Sequence, residues 1–295
     1  MQGFNNPAVL AASAAGLTSA LLMLWAMRGL PLGSALLWLA PAPLFSVGLA
    51  FGPVGAALAG LMGALVVVFS SSMLGAVFYA LLFAVPVWLL VALFLRPSGA
   101  SVSGPLAALG LYPVVLLLAL SLYFANDGGL EAVLRGAVEQ ATRRMGLILP
   151  EGMIDAVVRV KAAAVGFWLA VTAIGNAALA QGFLRRRGLN LAATPDLAEA
   201  RMPGWYLALL LLAGGAFVVV GDAVTLSILL LLTLPFFLMG IGGVHKRVRG
   251  SGGRVWLLAG FYTLMLIFLQ IMAPAMVGMG LYEQWARRAV PPPQT

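Results

Sequence analysis

The chain has 295 residues, of which 62% are hydrophobic and 9% charged, with a mean hydropathy of +1.05. Soluble domains carry about 25% charged residues, so this composition excludes an ordinary soluble protein; at about 20 apolar residues per crossing the length holds roughly eight to ten spans and no separate catalytic domain. The formal charge of +8 does not point to nucleic acid, because the basic residues form short loop clusters and read as positive-inside topology signals.

The N-terminal MQGFNNP lacks the basic region of a cleaved secretory signal, so no removed segment is expected. The first apolar run is Ala8 to Met27, closed by Arg28 and Gly29-Leu30-Pro31. A second lies within Ser34 to Phe51, a third runs from Pro53 to about Ser70, and Ser70-Ser71-Ser72 marks a turn. The fourth is Met73 to Leu95, closed by Arg96-Pro97; after the loop from Ser98 to Pro105, the fifth runs from Leu106 to Ala125.

From Leu130 to Met145 the pattern changes. Leu130, Val133, Leu134, Ala137 and Ala141 recur at helical spacing, opposite Glu131, Arg135, Glu139 and Arg143. This predicts an interfacial amphipathic helix between spans five and six, its alternating charges paired four apart. Pro150-Glu151 reads as a helix start leading through Asp155, Arg159 and Lys161 into span six, about Ala162 to Leu184. Span seven is Trp205 to Gly221, span eight about Ala223 to Val244 and span nine Val255 to Tyr282, with Asp222 at the hinge between seven and eight.

The expected architecture is therefore an all-α polytopic transmembrane helix bundle of about nine spans. By composition it divides into a six-helix region (1–187, including the amphipathic segment 128–161), a cytoplasmic loop (188–203) and a three-helix region (204–295). Arg185, Arg186, Arg187 and Arg201 lie two crossings from Lys246, Arg247, Arg249 and Arg254, so both clusters share one side. Taking that side as cytoplasmic puts the N-terminus inside and the amphipathic segment outside. With nine crossings it also puts Arg287 and Arg288 outside, against their preference, which leaves an eight-span alternative with one apolar segment failing to cross.

The stretch from Leu39 to Gly60, LAPAPLFSVGLAFGPVGAALAG, carries three prolines and four glycines in twenty-two residues. If Pro41 and Pro43 break the helix, the regular remainder reaches only about 12 Å; if they kink it, the segment reaches about 30 Å and crosses. Interrupted helices persist in membranes only where freed carbonyls meet protein or a polar cavity. The same region and the first span carry small residues in steps of four: Gly48, Gly52, Ala56 and Gly60, and Ala8, Ala12, Gly16 and Ala20. Such stripes allow close helix packing, either within the chain or as a docking face for another membrane subunit.

The Ala-xxx-Ala first helix, the proline-bearing connection and GLAFGPVGAALAGLMGAL (48–65) resemble the opening of the substrate-binding S-components of energy-coupling-factor vitamin transporters. That resemblance implies a ligand-capturing module whose first helix, through Ala8 and Ala12, meets a membrane partner. A resemblance over nearly the whole length is to the YybS-like bacterial integral membrane proteins of unknown function. It rests on LWLAPAPLFSVGLAFGPVGA, NAALAQGFLRRRGLN with TPDL and MPGW, MGIGGVHKRVRG, and GLYEQWARR. It implies a bacterial inner-membrane location and no assigned activity; Met239-Gly240 and Tyr282-Glu283 depart from the expected Gln-Gly and a late aspartate.

Candidate ligand-binding positions are Pro41, Pro43 and Gly52 at the interrupted corner, Asn176 and Gln181 near the end of span six, Asp222, and Gln270 four before Pro274. Each has a structural alternative: interhelical hydrogen bonding for Asn176 and Gln181, a helix N-cap for Asp222, and relief of a proline-freed carbonyl for Gln270. The lack of cysteine excludes thiolate zinc sites, iron–sulfur clusters and disulfides. His245 lacks a neighbouring second ligand and Ser70 to Ser72 lack a base, so no metal, cofactor or catalytic set is expected. The arginines at 185–187 read as a topology anchor or a site for anionic lipid heads, and Trp205, Trp256, Tyr282 and Trp285 as an aromatic belt. The expected partners are the bilayer, a small-molecule ligand of unknown identity and another integral membrane subunit. The expected function is a transporter-like or ligand-capture module rather than an enzyme, with a non-catalytic scaffold as the alternative.

Overall fold

A computed structural model describes residues 6–96 and 99–288. The expectation on the N-terminal processing, part of the loop at 97–98 and the C-terminal tail at 289–295 lie outside the described residues. Among the described residues there are helices and no strands.

Among the described residues, seven helical segments are long and apolar enough to cross a membrane: Pro7–Met27, Gly33–Phe51, Pro53–Ser70, Met73–Phe94, Ser103–Tyr123, Glu151–Arg186 and Ala223–Arg247. We number the helices α1 (Pro7–Met27), α2 (Gly33–Leu39), α3 (Pro41–Phe51), α4 (Pro53–Ser70), α5 (Met73–Tyr79), α6 (Val85–Phe94), α7 (Ser103–Tyr123), α8 (Gly129–Arg144), α9 (Glu151–Arg186), α10 (Gly204–Val220), α11 (Ala223–Arg247), α12 (Arg254–Ile267) and α13 (Leu269–Arg288). The protein is an integral membrane helical bundle.

Local chemistry explains most boundaries. Asn6 caps α1 by accepting from Ala8 N–H at 3.0 Å, with Pro7 at the first helical position, where its missing N–H costs nothing. Ser72 caps α5 by accepting from Gly75 N–H. Between α5 and α6 the ladder widens into a π-turn over Ala80–Ala84, with Val85 N–H reaching Ala80 O. Pro86 follows at once, and a regular ladder would leave the carbonyl four residues before it without a donor.

The chain forms two compact units: Met1–Ala108 with Trp168–Pro195, and Leu109–Phe167 with Asp196–Thr295. Two of the three divisions fall inside α7 and α9, and the third, between Pro195 and Asp196, falls in the expected loop between α9 and α10.

In the first unit α1 lies against α4. A Cβ on Gly16 would collide with the Ala59 carbonyl oxygen and sit 2.8 Å from Gly63 N. Ala12, Ala20, Gly48, Gly52, Ala56 and Gly60 are likewise buried within the chain, whereas Ala8 is half-buried. The Tyr79 hydroxyl occupies the space left by Gly63 and donates to Ser19 Oγ at 3.0 Å, both side chains fully buried.

In the second unit α10 and α11 form a hairpin, and α11 packs closely on α13. A Cβ on Gly240 would collide with the Met276 carbonyl, and one on Gly280 with the Phe236 carbonyl. The α8 helix forms, and one of the expected pairs, Glu139 with Arg143, meets at 3.8 Å, whereas Arg135 bridges to Asp155 at the start of α9. That hydrogen bond, and then the Asp155 charge, hold the Arg135 guanidinium above its ordinary pKa.

The expected ninth span, Val255 to Tyr282, is broken: α12 and α13 meet at Phe268 with a bend of 119°. Neither glycine nor proline stands at the break, and α13 runs through Pro274. The cause is tertiary, since α13 is held along α11 by contacts that α12 does not share.

Candidate functional site

The first unit contains the proline-bearing corner. Pro41 and Pro43 lack the N–H groups that a regular ladder would aim at the carbonyls of Leu37 and Leu39. The chain adapts at Ala40, whose N–H reaches Leu37 O at 3.3 Å in a tightened turn, and α2 and α3 together still make a segment long enough to cross. Ser46 Oγ returns a hydrogen bond to Ala42 O at 2.9 Å.

Asn176 on α9 serves this break. Its Nδ2 donates to Trp38 O at 2.6 Å and to Thr172 O at 2.7 Å, using both amide hydrogens. The opposite amide orientation would set Oδ1 against two carbonyls, so the network itself fixes the assignment. Asn176 is 4% exposed and Thr172 3%. The Asn176 Oδ1 and Thr172 Oγ1 atoms are buried and have no hydrogen-bond partner among the described residues. Trp168, one turn before Thr172, meets Trp38 edge to face at 5.6 Å between centroids. Two indoles, an amide oxygen and a hydroxyl thus gather where the α2–α3 ladder is interrupted.

Gly52 and Gln181 belong to the other end of α3. Gly52 adopts φ 86, which lets α3 stop and α4 begin at Pro53 in one residue. The loop after α9 lies over this corner: Leu191 N–H donates to Leu49 O at 3.1 Å. That loop is held by Gln181 Nε2 and Asn190 Nδ2, which donate to Ala192 O at 2.8 and 2.7 Å. The structure therefore groups Pro41 with Asn176 and Gly52 with Gln181.

Asp222 and Gln270 belong to the second unit. Asp222 is the N-cap of α11, accepting from Thr225 N–H at 2.8 Å and from Thr225 Oγ1 at 2.6 Å. Gln270 is exposed, two residues past the Phe268 break. His245 Nε2 pairs with the Tyr262 hydroxyl at 2.8 Å. The Tyr206 hydroxyl fills the space over Gly110 and is buried without a partner among the described residues, near the Leu231 carbonyl that Pro235 leaves without its helical donor.

Thr172, Trp168 and Trp38 were not anticipated. The four-residue spacing of Trp168, Thr172 and Asn176 is readable in the sequence as one helix face, but nothing local says that this face meets the proline break. No protein-family model, curated protein or solved structure matches this chain.

Proposed function

We propose that this protein is a transporter-like, small-ligand-capture module of a bacterial inner membrane, of the YybS-like kind and with an S-component-like region over residues 1–187. Its N-terminus faces the cytoplasm and α8 lies at the opposite interface. Adding α10, about 26 Å long, to the seven longer segments makes eight crossings; a crossing by the α12–α13 pair would make nine. The module acts by binding rather than by covalent chemistry.

The observation that carries this reading is the pair of unpartnered, buried oxygens of Asn176 and Thr172 at the helix break. An unpaired polar group in a low-dielectric interior costs about 1–3 kcal/mol, which a bound donor removes. The ligand is accordingly uncharged, since none of these four side chains carries a counter-charge and an unpaired ion is costly to bury. It offers an N–H or O–H to Asn176 Oδ1 and an apolar face to the indoles of Trp38 and Trp168.

Native mass spectrometry of the full-length protein, released from nanodiscs, tests this. Wild-type protein should retain a small molecule that Thr172→Val and Asn176→Leu lose. Retention of lipid alone by all three would favour the scaffold alternative.

A further inference from the structure

We infer that α12 and α13 form a re-entrant hairpin that enters and leaves the membrane at one face, so that the end of α13 lies on the side of the basic α11–α12 loop. Three observations converge on this, all within the second unit.

The first is direction. The chain turns by 119° at Phe268, and a change of more than 90° reverses the sense of travel along the original axis. A kinked crossing helix keeps its sense; this pair does not.

The second is where the ends lie. The pair starts at Arg254, seven residues after the last residue of α11, and Tyr262 on α12 still reaches His245 near the end of α11. The pair finishes beside that same end. Arg247 Nη1 and Glu283 Oε1 form an ion pair at 2.9 Å, and a Cβ on Gly243 would lie 3.3 Å from Glu283 Oε1. One residue on, Gln284 holds the backbone of Met202, just before α10 begins, through two hydrogen bonds. Arg249 in the α11–α12 loop is paired with Asp196 at 2.6 Å, in the segment that leads to Met202. Thus α13 runs parallel to α11, with Gly240 and Gly280 at their contact, and its final turns stand in the layer of the α11 terminus.

The third is reach. From Arg254 to Ile267 α12 is about 21 Å long, and from Leu269 to Glu283 α13 covers about the same, at 1.5 Å per residue. The α12 arm therefore falls short of a hydrocarbon core of about 30 Å. An arm too short to cross, reversed at Phe268 and followed by a helix whose Glu283 and Gln284 stand in the layer of the α11 terminus, penetrates and returns. This arrangement removes the conflict raised by Arg287 and Arg288, because an eight-crossing chain brings its C-terminal arginines to the side of Lys246, Arg249 and Arg254.

The absence of native cysteine makes a direct test possible. Single cysteines are placed in the full-length chain at Asp127, Ser251 and Trp285, and labelled with a membrane-impermeant maleimide in intact cells and in inverted vesicles. Ala286→Cys supplies a second position should Trp285→Cys fail to fold. Labelling of Trp285→Cys or Ala286→Cys from the same side as Ser251→Cys, and opposite to Asp127→Cys, is the expected result. Labelling from the side of Asp127→Cys would mean that the pair crosses and would overturn the inference.

Discussion

Gln284 and Met202, 82 residues apart, exchange two hydrogen bonds: Met202 N–H donates to Oε1 at 2.9 Å and Nε2 donates to Met202 O at 2.8 Å. Both residues are buried, so a side-chain amide here does what a neighbouring strand would do for an isolated stretch of backbone. The pairing ties the end of α13 to the entrance of α10.

Replacing Gln284 by leucine keeps the volume and strips both bonds, leaving a buried N–H and C=O unpaired. The expected loss is about 2–4 kcal/mol, read as a lower midpoint of thermal unfolding followed by tryptophan fluorescence in detergent. An unchanged midpoint would show that Met202 is not held by this pair.

Gly16→Ala should destabilise markedly, because the new methyl meets the Ala59 carbonyl and Gly63 backbone, neither of which can rotate away. Helices α1 and α4 would have to separate, at a cost of about 1–3 kcal/mol. Gly175→Ala is the matched control: nothing lies within 4 Å of its added Cβ. It should be neutral or raise stability by up to about 1 kcal/mol through helix propensity.

Thr172→Val removes a buried hydroxyl that has no partner among the described residues while conserving shape. In ligand-free protein it should be neutral or stabilising by about 1 kcal/mol. A clear destabilisation of the ligand-free protein would mean that Thr172 is already hydrogen-bonded internally, and would remove the support it lends to a ligand site.

Asp222→Ala deletes the cap that accepts from Thr225 N–H and Oγ1. A loss of about 1 kcal/mol is expected, and Asp222→Asn or Asp222→Ser should recover most of it. Ligand retention by Asp222→Asn should match the wild type, since Asp222 serves as a cap here.

The spans were largely legible because crossing a bilayer is a local requirement: a run of sufficient length and apolarity, closed by Gly, Pro or Arg. The ends of α1, α4 and α11, the extent of α8 and the helix start at Pro150-Glu151 all follow from residues within a few positions. The cap at Asp222 was among the readings its position allowed. The corner at Gly52-Pro53 was legible for the same reason, since one glycine with positive φ before a proline is a local device.

What the sequence determined by itself was therefore the solvent of this protein, its helical class and most of the segments that fill the membrane. Tertiary structure alone decided which small residues meet which backbone, that Asn176 serves Trp38, that Arg135 leaves its own helix for Asp155, and that the last apolar run reverses at Phe268. The physical reason is common to all four. Apolarity is summed along the chain, whereas a hydrogen bond, an ion pair or a glycine contact needs a partner whose arrival depends on how distant segments pack. At Phe268 no residue forces a break; the pull comes from Gly240, Arg247 and Met202, which a reading confined to neighbours cannot place beside Gly280, Glu283 and Gln284.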